Sequence, residues 1–144
     1  MNSSANRSGH PLVRAVLLAL LGCTTFDQAR ACRSFGETMN PVLEEVQAKA
    51  AQVAASEPAL LRSQAGRFRT LASQLEAQKA TLAPLGNSGP LFALEFRQVA
   101  VALDDAANAQ EGSLPNRYRI ARSRLESSTN RLRDLKKQLS RRCG

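Results

Sequence analysis

Few side chains in this chain of 144 residues could do chemistry, and their types exclude most of it. The single histidine, His10, sits in the N-terminal leader, so the rest of the chain has no imidazole. That removes histidine acid–base catalysis, Ser-His and Cys-His nucleophiles and nearly all zinc sites. Glu44-Glu45 and Asp104-Asp105 are adjacent carboxylates. Neighbours on a helix diverge by about 100°, which suits a solvated face better than paired acid–base work. No Glu-x-x-His di-iron motif can be written, and no Cys-x-x-Cys-His haem attachment; Met39 reads as a core residue. Gly86 and Gly89 lack the Gly-Lys-Ser/Thr ending of a phosphate loop and read as turn residues. The expectation is a non-enzymatic protein with no cofactor, no metal and no small-molecule substrate. An enzyme working with carboxylates and arginine alone is the alternative from another class.

What remains is charge. The net charge of +8 is matched by Ser113–Gly144 alone, with ten basic residues against Glu126 and Asp134. Leu114, Tyr118, Ala121, Leu125, Ser128, Leu132, Leu135 and Leu139 recur there at spacings of four and three, the seam of one long amphipathic helix. Acidic flanks at Asp104, Asp105, Glu44 and Glu45 could absorb some of its arginines. They cannot absorb all of them. Arg133–Lys137 and Lys137–Arg141 are like-charge pairs four apart, each destabilising an isolated helix by about 0.3 kcal/mol. Arg119, Arg133, Lys137 and Arg141 project away from the seam and are the candidate contacts for an anionic partner. That partner would be an anionic lipid, a glycolipid or an acidic protein. Nucleic acid is not expected, because stacking aromatics are missing: there is one Tyr and no Trp.

The N-terminal segment supplies a setting. A polar stretch with Arg7, His10 and Arg14 feeds the apolar run 15–22, too short to span a bilayer, and then Cys23. That is the form of an export signal. Leu20-Leu21-Gly22-Cys23 resembles the lipobox of bacterial lipoproteins. The resemblance implies that residues 1–22 are removed and that Cys23 is lipidated. It further implies that the protein is held to a cell-envelope membrane, outer-membrane or periplasm-facing, by that anchor. A competing cleavage pattern, Ala29-Arg30-Ala31, would begin the chain at Cys32. The product would be a soluble periplasmic or secreted chaperone or adaptor. Either route removes or occupies Cys23 and leaves Cys32 and Cys143, which in an oxidising envelope read as a disulfide. Two unrelated thiols are the alternative.

Helices must position all of this. Ala, Leu, Arg, Gln and Glu dominate the composition, and no alternating β-branched run competes, so the fold class is all-α. Residues 23–40 are expected as a short tether, although Phe26, Ala29, Cys32, Phe35 and Met39 already follow a helical spacing. The bundle domain spans 41–144. Asn40-Pro41 and Ser56-Glu57-Pro58 read as helix starts, with Leu61, Gln64, Phe68, Leu71, Leu75, Gln78 and Leu82 as the second seam. Pro84–Pro90 reads as a loop. A third helix turns Phe92, Phe96, Val99, Leu103 and Ala106 inward, with Leu91, Leu94 and Val101 as a second buried stripe. Ser113 caps the last helix. The sum is an antiparallel up-down four-helix bundle, or three long helices if Pro58 only kinks the first. The cysteines separate the two: four helices bring Cys32 and Cys143 to one end, whereas three leave them roughly 40 Å apart.

Overall fold

The computed structural model describes residues 26–42, 44–45 and 56–144. Residues 1–25, which include the expected export signal and Cys23, lie outside the described residues, as do Leu43 and the stretch 46–55. Among the described residues the chain is helical, with no strand. Helix α1 covers the described residues 26–42 and 44–45, α2 runs Pro58–Ala77, and α3 is the single turn Lys79–Leu82. After a 3₁₀ turn at Ala83–Leu85 come α4, Ser88–Glu111, and α5, Pro115–Cys143.

Residues 26–40, expected within a short tether over 23–40, are helical and form most of α1. Ala31, Phe35 and Met39 are spaced by four and fully or almost fully buried. Phe26 and Ala29, expected on that face, are exposed. Asn40-Pro41 therefore lies inside a helix and does not open one. Burial of the Ala31-Phe35-Met39 stripe offsets the hydrogen bond that Pro41 cannot donate.

Ser56 and Glu57 are non-helical, so Pro58 starts α2 instead of kinking a longer helix. The cap position is Glu57, not Ser56, and Pro58 occupies the first turn, where a missing N–H is harmless. Leu61, Phe68, Leu75 and Leu82 are buried as the seam predicts, joined by Ala65 and Ala72. The expected loop over Pro84–Pro90 shrinks to Gly86-Asn87, with Pro90 already inside α4. Gly86 has φ +64°, a conformation that favours glycine, and a Cβ there would approach Arg142 Nη1 at 3.3 Å. At the other end of α4, Ser113 carries φ +52° and Leu114 takes the cap position, so Ser113 is a turn residue and not the expected cap.

Helix α4 packs against both α2 and α5. Its cross-links to α2 run in reverse order, as antiparallel neighbours require: Arg62 meets Glu111, Arg69 meets Asp104, and Arg97 meets Glu76. Those to α5 do the same, Asp105 with Arg124 and Glu95 with Arg131. Phe92 links the layers: its ring lies 4.9 Å from Phe35 on α1 and 6.2 Å from Phe96, which lies 5.7 Å from Phe68 on α2. Phe92, Phe96, Val99, Leu103 and Ala106 all face inward as expected. The second stripe does not. Leu91, Leu94 and Val101 are 43%, 51% and 53% exposed, and the buried positions beside the aromatic face are alanines, Ala93, Ala100 and Ala107 along one edge and Ala102 and Ala109 along the other. Small side chains let neighbouring helix axes approach closely, which leaves no space for leucine there.

Cys32 and Cys143 form a disulfide with Cα atoms 5.7 Å apart, 111 positions apart in the chain. Closing a loop of that size stabilises a chain by about 4–5 kcal/mol in the entropy model.

Candidate functional site

The α5 seam is buried where its spacing places it: Ala121, Leu125, Ser128, Leu132 and Leu139. Tyr118 and Leu135 pack against the core from its edge, and Leu114 is largely exposed. The basic residues fall into two sets around this seam. One set points to α4. Arg124 Nη1 reaches Asp105 Oδ2 at 3.3 Å. Arg131 Nε donates to Glu95 Oε1 at 2.7 Å and its Nη2 to Ser128 Oγ at 2.9 Å. Arg142 Nη1 donates to the Leu85 carbonyl at 3.0 Å.

The other set faces away from α4 and contains the four candidates. Arg133 donates to Asn130 Oδ1 at 3.0 Å, and Lys137 lies 3.9 Å from Asp134, both on the same helix. Arg119 and Arg141 are exposed and have no carboxylate partner among the described residues. No other helix neutralises any of the four within the described structure. Arg119 and Arg141 are 22 positions apart, so the row extends for about 33 Å along one helix.

Two of the acids expected to meet α5 are engaged by α2 instead. Asp104 is paired with Arg69, and Glu45 accepts two hydrogen bonds from Arg67, at 2.5 and 2.6 Å. Of the acids expected to absorb the α5 arginines, Asp105 does so, through Arg124. Arg62 grips Glu111 with both Nη atoms, at 2.5 and 2.6 Å, and also reaches Asn108. These hydrogen bonds hold the Glu111 carboxyl below the usual carboxylate range and raise Arg62; Glu45 raises Arg67 in the same way. All are exposed pairs of small energetic weight.

Glu95 is the one residue of the basic helix's surroundings that the sequence reading missed. Its side chain is 12% exposed, and Oε2 is buried without a hydrogen-bond partner among the described residues. A lone Glu between Leu94 and Phe96, in the most apolar half-helix of the chain, was the available signal. The arrangement Glu95–Arg131–Ser128 orients Arg131 and fixes α5 against α4; a single carboxylate salt-bridged to arginine is not a catalytic pair.

A groove of about 630 Å³ beside α3 and the start of α4 is lined largely by Leu75, Leu82, Pro90 and Leu94, with Lys79 and Arg97 among its polar positions. Among the described residues no group of three or more His, Cys, Asp or Glu side chains could hold a metal ion. No described helix is long and apolar enough to cross a membrane. Cys23 lies outside the described residues. No protein-family model, curated protein or solved structure matches the chain.

Proposed function

We propose that the chain is a non-enzymatic bacterial envelope lipoprotein, an up-down antiparallel four-helix bundle tethered through Cys23 and acting as a binding or structural module. Its working surface is the outer flank of α5, where Arg119, Arg133, Lys137 and Arg141 meet an anionic partner. One observation carries this reading: the row faces away from α4, and its contacts among the described residues, Arg133 with Asn130 and Lys137 with Asp134, stay within α5. Asp104 and Glu45 are held by Arg69 and Arg67, so they do not offset the row either. The cross-link order between α2, α4 and α5, and the disulfide joining the start of α1 to the end of α5, support the up-down topology.

Cleavage before Cys23 accords better with α1 than cleavage after Ala31. Ala31 is fully buried in the middle of that helix, and a cut behind it would remove Gln28, whose Nε2 donates to the Arg142 carbonyl at 2.9 Å. Intact mass of the protein purified from its own cells tests the tether. The expected result is an acylated chain beginning at Cys23, and Cys23→Ser is expected to lose the acyl mass and leave the membrane fraction. A chain beginning at Cys32 without acyl mass rejects the tether. The flank is tested separately with polyglutamate and a soluble phosphorylated glycolipid as probes. Binding of at least one is expected to weaken with salt and with Arg119→Gln/Arg133→Gln, because exposed charges are screened within about 8 Å at physiological ionic strength.

A further inference from the structure

The two ends of the molecule differ. At one end α1 begins, α5 finishes, and the turn between α3 and α4 lies between them. Gln28 bonds the Arg142 carbonyl, Cys32 is joined to Cys143, and Arg142 Nη1 reaches the Leu85 carbonyl. The charged residues of these three short segments, 26–33, 79–87 and 138–143, are Arg30, Arg33, Lys79, Arg141 and Arg142 against Asp27 alone. All five cations are exposed, and none has a carboxylate partner among the described residues. The opposite end carries Glu44, Glu45, Glu57 and Glu111 among its own arginines. The cationic end also holds the most exposed large apolar side chain described, Phe26, at 70%.

We propose that this cationic end is a foot that docks on an anionic lipid surface, with Phe26 entering the headgroup region. Charge complementarity and the exposed ring supply the attraction. The direction rests on the tether reading: Cys23 is three residues before Phe26, so an acyl anchor there is no more than about 10 Å of extended chain from the foot. The bundle then stands on the membrane instead of lying along it. Arg119, about 33 Å up α5 from Arg141, is several screening lengths from the headgroups. The bilayer is therefore met by the foot, and the upper part of the α5 row is left for a partner in the aqueous space.

The chain has no tryptophan, so Phe26→Trp makes a unique emission reporter. The mature protein carrying it is reconstituted with phosphatidylglycerol vesicles and with phosphatidylcholine vesicles. Its intact mass reports the tether independently of the emission that reports the foot. The expected result is a blue shift on phosphatidylglycerol only, reversed by high salt. Each basic residue near an anionic surface changes partitioning about five-fold, so Arg30→Gln/Arg33→Gln/Lys79→Gln should weaken docking on the order of 100-fold. Those three side chains are exposed and unpaired within the described structure, so an unchanged thermal melt is expected to accompany the loss. Arg119→Gln/Arg133→Gln should leave the shift in place. An equal shift on both vesicles overturns the proposal, as does an unchanged shift in the triple variant. Loss in the α5 variant with retention in the triple variant also overturns it, and would mean that the molecule lies on its side. An acyl mass without the shift rejects the foot and keeps the tether; the shift without an acyl mass does the reverse.

Discussion

Helices α4 and α5 are neighbours of similar length that bury themselves by different means. Helix α4 hides a broad face, with Phe92, Phe96, Val99 and Leu103 along its middle and alanines along both edges. Helix α5 hides a single leucine seam and carries its charge on both flanks. The α4 carboxylates are all engaged within the bundle: Asp104 and Glu111 by α2, Asp105 and Glu95 by α5. The α5 cations outnumber what α4 can return. A helix in the middle of a bundle has neighbours to neutralise it, whereas a helix at the margin keeps whatever its neighbours cannot match. The excess on α5 is set by its own composition, and where carboxylates stand on other helices decides which of its arginines are matched.

The sharpest way to break this contrast is at the aromatic link in α4. Phe92 is fully buried between Phe35 and Phe96, and Phe92→Ala should cost about 3–5 kcal/mol in a denaturant melt. A smaller effect would mean that α1 does not close over α4 as described. Leucines on the two helices provide a paired comparison. Leu132→Ala on α5, at 2% exposure, should cost about 2–5 kcal/mol. Leu94→Ala on α4, at 51% exposure, should remain within roughly ±0.5 kcal/mol. Equal losses would show that the outer face of α4 is covered in solution.

That pair also shows what a sequence can and cannot disclose. The α5 seam is legible because large aliphatic residues at strict four-three spacing sit among arginines, and no other face is available to bury. On α4 the reading placed Leu91, Leu94 and Val101 inside and was wrong. Alanine is at once the best helix former and a close-packing residue, so Ala93, Ala100 and Ala107 carry no distinctive signal. The same limit explains α1. Asn40-Pro41 is a sound local start signal, but the buried stripe Ala31-Phe35-Met39 outweighs it. For the candidate site, the residue types were legible, while their neutralisation was not. Whether Asp104 meets an arginine of α5 or Arg69 of α2 depends on which side of α4 it faces, and that is a tertiary fact.

A smaller effect is expected at the ion pair between the two helices in which the exposed Arg131 meets the nearly buried Glu95. Arg131→Leu removes the partner of Glu95 and should cost about 1–3 kcal/mol, the price of a buried polar group left unsatisfied. Adding Glu95→Leu should restore most of the loss, because replacing both partners by apolar groups can be nearly neutral. A double variant no more stable than the single one would show that the carboxylate was already hydrated. The pair would then contribute nothing to holding α5 on α4.

The smallest expected effect lies on the outer flank of α5, where the contrast between the helices becomes a statement about function. Replacing Arg133, Lys137 and Arg141 by Gln removes two like-charge spacings of four, each unfavourable by about 0.3 kcal/mol in an isolated helix. It also removes the Lys137–Asp134 contact of 3.9 Å and leaves Asn130 without the Arg133 guanidinium. Both are exposed contacts within one helix and offset part of the relief, so the melting temperature should be unchanged or slightly raised. Binding of polyglutamate or phosphorylated glycolipid, measured in the same samples, should weaken. A loss of several degrees would mean that these side chains are internal partners, as Arg131 is. The charge on α5 would then belong to the architecture of the bundle, and the difference from α4 would be one of degree.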